Sequence, residues 1–274
     1  MRRPLFWCLV AILAAHLALA CTKVPILGRR QLNVIPDAIM LPIGASAYQS
    51  TLAGLKLAER GEQHQTVQQV GERIAHAVSG QDFDWEFALV RDAETVNAWA
   101  LPGGKVAVYT GILPICSNEA GLAFIMAHEI GHVVARHGSE RLSQQLAVLG
   151  GLAGLYLYLD NKTELSQEQQ AIILASVGVG AEVGLVLPFS RKHEREADVI
   201  GMMYMSSAGY PPQQAIDIWE RMEQGGSGSA LPAFLSTHPS HDDRAENLRD
   251  WLPNAKRRYE RNKLDRDTTS TLWD

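Results

Sequence analysis

From Gly121 to Ala135 the chain is apolar except for His128, Glu129 and His132, in the order H-E-I-G-H. This stretch constrains the fold more than any other. On an α-helix two residues four apart stand about 40° apart around the axis, so both imidazoles face one point. Polar groups in so apolar a helix are costly to bury unless something satisfies them. A single divalent ion satisfies both rings, and Glu129 beside them faces the water such an ion would carry, a pattern that implies metal-assisted hydrolysis of a peptide bond. Asn118 and Glu119 stand where that helix would begin, a capping side chain followed by negative charge in the first turn.

Catalytic zinc usually takes three protein ligands and leaves one position open, so a third ligand is required. His137 lies about 140° further round an uninterrupted helix than His132, and the H-x-x-G-x-x-H continuation is absent. It is expected at the surface, near a helix end set by Gly138. The run Ser190-Arg191-Lys192-His193-Glu194-Arg195-Glu196-Ala197-Asp198 is the better source. Glu194 and Asp198 share a helix face, and Glu196 points about 160° away from Glu194. One carboxylate can bind metal while the second orients a ligating histidine through its free ring N–H. A run of this kind is equally what a solvated helix face with surface ion pairs looks like.

H-E-x-x-H followed by S-R-x-x-E-x-x-A-D resembles the zinc peptidases related to the CAAX prenyl endopeptidase, a family with HtpX, BepA, LoiP and Oma-type members. The likeness extends to the segment from Asn97 to Gly111 and to Thr237-His238-Pro239 with Arg244, and it covers roughly Val67 to Trp251. It implies one Zn2+ per chain held by His128, His132 and Glu194, Glu129 as catalytic base, and Asp198 as the carboxylate behind the ligands. It also implies that His238 can reach the zinc and plug the site, although His241 could do so instead. The resemblance further implies a zincin-like domain and, as substrates, misfolded or misassembled envelope proteins. A zinc-bound chaperone or assembly factor that seldom cuts is the alternative. A purely structural zinc module fits less well, since such sites close with four Cys or His ligands.

The N-terminus reads as a secretory signal: Arg2 and Arg3, an apolar stretch from Leu5 to Leu19, then Ala20-Cys21. At about fifteen residues the stretch is short for a membrane span. Cys21 resembles the lipidated cysteine of bacterial lipoproteins, although Ala18 stands where a leucine is usual; cleavage after Ala20 without lipidation is the other possibility. The expected location is a bacterial envelope, lipid-anchored and facing the periplasm, and Thr22 favours the outer over the inner membrane. Once Cys8 leaves with the signal and Cys21 is lipidated, Cys116 stands alone, so the fold depends on its core and not on disulfides. A formal net charge of −5 argues against nucleic acid as a partner.

The expected class is α+β, mainly α, with a small β-sheet beside the zinc helix. The expected organisation is a signal at 1–20, a tether at 21–36, one metallopeptidase domain at 37–264 and a flexible tail at 265–274. Helices are expected from Ser46 to Arg60, from Glu62 to Ser79, over about twelve residues ending near Gln224, and from Asp242 to Leu264. Trp85, Phe87 and Leu89 alternate like a strand, and Lys105 to Thr110 suggests another. The resemblance implies that Lys105 to Thr110 is the edge of the sheet, to which a protein or peptide substrate could add in extended form; a plain core strand is the alternative. Two apolar segments, Leu146 to Leu159 and Ala171 to Phe189, are expected to be helices packed over the active site rather than membrane spans. Gly225 to Ser229 is expected as a flexible loop that lets the His238 segment move. The sequence shows no internal repeat and leaves the oligomeric state open.

Overall fold

The computed structural model describes residues 21–162, 165–181, 187–224, 234, 238 and 243–273. The signal at 1–20, the loop from Gly225 to Ser229, and Thr237, Pro239, His241 and Asp242 lie outside the described residues. The structure is mainly helical with two small sheets, the α+β class expected from the sequence.

At its centre is α4, Glu119–Val134, in which every residue except His132 is buried. Its start is set by Asn118, whose side chain accepts from the Gly121 N–H at 2.8 Å, as the sequence implied. Gly121 is required there, because a Cβ would lie 2.0 Å from the Cys116 carbonyl oxygen. The helix stops where Arg136 takes φ 58°, a left-handed residue that reverses the chain into α5, His137–Lys162.

Two glycines allow α7, Leu187–Ser207, to press against α4. A Cβ on Gly131 would stand 3.0 Å from the Ala197 oxygen, and one on Gly201 would stand 2.8 Å from the His128 nitrogen. This close approach lets short carboxylate side chains on α7 reach imidazoles on α4.

A three-stranded sheet flanks α4 in the order β3-β5-β4, formed by β3 Glu86–Val90, β4 Ala98–Leu101 and β5 Lys105–Tyr109. β5 runs parallel to β3, pairing Phe87 with Val106, and antiparallel to β4, pairing Trp99 with Ala107. The Lys105–Thr110 strand is therefore central and not at the edge as expected. Its Val106, Ala107 and Val108 are fully buried, which an edge strand with one wet face would not need. Leu57 bridges Val90 on the β3 side, so β4 carries the open edge among the described residues. The sheet is backed by α2, Glu62–Ala77, through Val67, Val70 and Ile74 at helical spacing.

The first helix, α1, spans Asp37–Leu52, earlier than Ser46 to Arg60, with Pro42 inside it. Residues 21–36 are not a loose tether. They form a hairpin, β1 Cys21–Lys23 and β2 Arg30–Leu32, with Val24 and Gln31 buried. Residues 265–273 dock on the start of α4 rather than trailing free: Ala120 N–H donates to the Thr268 carbonyl at 2.9 Å, and Arg266 pairs with Glu119.

Helix α5 and α6, Gln167–Ala181, lie against each other. Much of their apolar surface is open where burial was expected: Leu149, Leu157, Tyr158 and Ile172 are about 60% exposed, and residues 182–186 of the second segment lie outside the described residues. The stretch His137–Asp160 is long and apolar enough to cross a membrane, counted by length and composition. Two further helices complete the core. They are α8, Gln213–Gln224, which matches its expected end, and α9, Arg244–Asn262.

Candidate metal centre

Four side chains converge between α4 and α7. His128 Nε2 lies 3.1 Å from His132 Nε2, 3.2 Å from His238 Nδ1 and 3.3 Å from Glu194 Oε2. Glu194 Oε2 is 3.0 Å from His238 Nδ1, and Glu194 Oε1 is 3.5 Å from His132 Nε2. Donor atoms at about 2.0–2.1 Å from a tetrahedral zinc ion stand about 3.3 Å from one another, so the observed spacings are those of a zinc cage. His128, Glu194 and His238 are buried and His132 is partly exposed, its side chain 16% accessible. Of the two histidines weighed for the fourth corner, His238 stands there.

Glu129 sits beside this corner, buried, with Oε1 3.2 Å from His238 Nε2 and no hydrogen bond to that oxygen. An unsatisfied carboxylate oxygen next to the cage is what a base awaiting a water proton requires. His238 thus fills the fourth corner with Nδ1 and faces the base with Nε2. Its ring stacks on Phe234 at 4.7 Å between centroids, and its N–H donates to the Phe234 carbonyl.

Asp198 lies behind the cage. Its Oδ1 is 3.0 Å from His128 Nδ1, and Arg244 grips both carboxylate oxygens at 2.7 Å through Nε and Nη2. Trp219 Nε1 adds a bond at 3.3 Å, and its ring lies 3.6 Å under the Arg244 guanidinium. Asp198 and Arg244 are fully buried, so this is a charge pair sealed from water.

The titration behaviour follows. Burial would raise the Glu194 pKa, yet the neighbouring His132 and the hydrogen bonds from the three imidazoles hold it well below the usual carboxylate range. Burial alone would lower the His128 pKa; hydrogen bonds to Asp198 and Glu194 overcome this and lift it to about 9. Burial pushes the His132 pKa well down and the Glu129 pKa up. An ionised Glu194 and a neutral His132 are the forms that ligate metal, and binding would displace the His128 proton.

His137 corrects the sequence expectation. It is 3% exposed, because the left-handed turn at Arg136 folds it back under the cage instead of leaving it on a helix surface. Its Nδ1 lies 2.9 Å from His132 Nδ1, and its Nε2 lies 3.1 Å from Glu196 Oε2. Arg244 stood in the sequence only as part of a resemblance, with no role, and Arg29, His137, Trp219 and Glu196 carried no role either. Apart from His132, five residues before His137, the partners lie 21 to 167 residues away in sequence, beyond the reach of any local spacing.

A histidine pair on one helix with a glutamate from a second helix defines a zinc metallopeptidase of the gluzincin kind. A family model described as peptidase family M48 matches residues 61–252, and the chain belongs to that family. Its cofactor is accordingly zinc. Among its most similar relatives is a mitochondrial metalloendopeptidase OMA1 of Schizosaccharomyces pombe, 40% identical over 85% of this chain and 67% of that protein. The Saccharomyces cerevisiae protein of the same name is 41% identical over 64% of this chain and 49% of its own length. A beta-barrel assembly-enhancing protease of Escherichia coli is 28% identical over 68% of this chain and 38% of its own. The chain thus spans about two thirds of the first relative and half or less of the other two. The most similar relatives from fungi, a plant and an animal are named mitochondrial. That corrects the bacterial-envelope, periplasm-facing, lipid-anchored location expected from the N-terminal sequence.

Proposed function

We propose that the chain is a zinc-dependent endopeptidase that cleaves protein segments presented in extended form, with His238 as a gate over its own active site. The observation that carries this reading is the four-cornered cluster of His128, His132, Glu194 and His238 with the unsatisfied Glu129 beside it. Bound there, zinc would polarise a carbonyl and lower the pKa of water. His128, His132 and Glu194 hold the ion, and Glu129 accepts the proton from the attacking water and returns it to the leaving amine. The raised pKa of Glu129 suits that exchange.

The open edge of β4 supports an extended substrate. A pocket lined by Leu41, Phe83, Ala100, Leu101 and His132 connects that edge to the cage, so a strand paired with β4 would bring its backbone past the metal. Backbone pairing tolerates many sequences, which suits unfolded segments of diverse proteins.

A second reading has a specific observation behind it. With His238 at the fourth corner and against Glu129, the protein in this state is closed, as a zinc-bound assembly factor that seldom cuts would be. Cleavage of casein separates the two. The endopeptidase reading expects cleavage that Glu129→Gln abolishes while zinc stays bound. Zinc-loaded protein that leaves casein intact, with and without His238→Ala, would favour the assembly factor.

A further inference from the structure

The two helix-borne imidazoles have matching supports. His128 rests through Nδ1 on Asp198, which is gripped by the buried Arg244. His132 rests through Nδ1 on His137, which reaches Glu196, which is gripped by Arg29 of the N-terminal hairpin, Nη2 to Oε2 at 2.8 Å. Each arm begins at a ring nitrogen facing away from the cage and ends on a guanidinium.

We propose that His137, held by Glu196 and Arg29, is the positioning residue for His132, fixing the ring tautomer and orientation with which it meets zinc. This rests on the reading of His132 as a zinc ligand. If Nε2 of His132 ligates, its proton is on Nδ1, and that N–H points at His137 Nδ1, 2.9 Å away. His137 Nδ1 must then accept, which puts the His137 proton on Nε2. That N–H meets the Glu196 carboxylate at 3.1 Å. The hydrogen-bond directions are consistent at every link, and the opposite tautomer of His137 would set two N–H groups against each other and remove the bond from His137 to Glu196.

Arg29 fixes the Glu196 carboxylate from the side opposite His137. Arg29 pairs through Nη2 with Glu140 on α5 at 2.7 Å as well as with Glu196 on α7, joining the two helices beneath the cage. His193 stacks on His137 at 4.2 Å and bonds to Glu140 at 2.9 Å, closing the far side of the ring. His137 therefore has little freedom to turn. The hairpin formed by residues 21–36 enters the account through Arg29 and is a component of the metal site rather than a linker.

Three measurements test the proposal on the full folded chain. In wild-type protein loaded with zinc, long-range proton–nitrogen NMR of the imidazoles should show His132 protonated on Nδ1 and His137 protonated on Nε2. A His137 proton on Nδ1 would overturn the proposal, and this result does not depend on any variant folding. In competition with a chromophoric chelator, His137→Leu should bind zinc about 10–100-fold more weakly, the usual effect of losing an orienting partner. His137→Asn, whose amide oxygen can stand where Nδ1 stood, should recover most of that loss. Urea unfolding of both variants without metal supplies the control for folding. Unchanged zinc affinity in His137→Leu, or equal losses in Leu and Asn variants that differ from wild type only as their metal-free stability does, would refute it. Loss of all zinc binding in wild type would instead sink the ligand assignment itself, so the two failures are distinct.

Discussion

Replacing Asp198 by asparagine should damage two properties at once, and a second substitution should separate them. Asp198 is fully buried and takes bonds from His128, from Arg244 twice and from Trp219. Asparagine keeps the shape and one acceptor but removes the charge. Arg244, itself fully buried, keeps Glu194 at 3.3 Å and the Trp219 ring but loses its nearer carboxylate. Stripping one partner from a buried ion pair costs about 3–5 kcal/mol, and with one acceptor retained the loss should lie near about 3 kcal/mol. Against a total stability of about 5–15 kcal/mol, urea unfolding without metal resolves it easily. Zinc affinity should fall about 10–100-fold, because His128 loses the carboxylate charge that raises its basicity as a ligand. In Asp198→Asn/Arg244→Met the buried guanidinium goes with its carboxylate, and Glu194 keeps its imidazole partners, so most of the stability should return, since apolar groups replace buried ion pairs at little cost. The zinc affinity should stay low. If chelator competition shows tight zinc returning together with stability, the loss in the single variant reflects a disturbed fold, and the role given to Asp198 is refuted.

Three further outcomes are expected. His238→Ala, by removing the side chain at the fourth corner and beside the base, should speed casein cleavage about tenfold, the rate a closed state favoured by about 1.4 kcal/mol would hold back; slower cleavage would make His238 part of the chemistry and not a gate. Gly201→Ala places a methyl against the His128 backbone, which cannot yield, and should cost about 1–3 kcal/mol while weakening zinc binding; a melting temperature equal to wild type with and without zinc would show that α4 and α7 are not so closely fitted. The Glu140 pKa, which burial would raise, is brought down to about 2 by Arg29 and His193, so its stabilising contribution is complete above about pH 4.5 and is lost as pH falls through about 2. Glu140→Gln should flatten the urea midpoint across that interval, and a slope identical to wild type would show that the pairing with Arg29 adds nothing.

The parts of the site visible in the sequence are those written in local spacing. His128, Glu129 and His132 lie on one helical turn, and Glu194 and Asp198 on another, so helical geometry alone places each set on a face. Asn118 marked the true start of α4 because capping is decided within three residues. The failures have a common origin in long-range packing. His137 was misjudged because one left-handed residue, Arg136, changes its direction, and nothing in an Arg-His-Gly sequence requires the turn to fall there. The resemblance implies an edge position for β5, and the structure makes it central; strand order depends on pairing between segments, which the alternation within one does not reveal. The hairpin before α1 looked like a tether until Arg29 found Glu140 and Glu196, 111 and 167 residues away. The helices α5 and α6 were expected over the site because their apolar residues suggested burial, whereas much of that surface is exposed.

X-ray absorption at the zinc edge, taken on folded protein loaded with zinc and freed of excess by desalting, reads the proposed cage itself. About one zinc per chain should appear in a four-coordinate shell of nitrogen and oxygen at about 2.0–2.1 Å with the signature of several imidazoles. Glu194→Ala should disturb this shell. A shell containing sulfur, or protein that emerges folded but without zinc, would contradict the proposed cage.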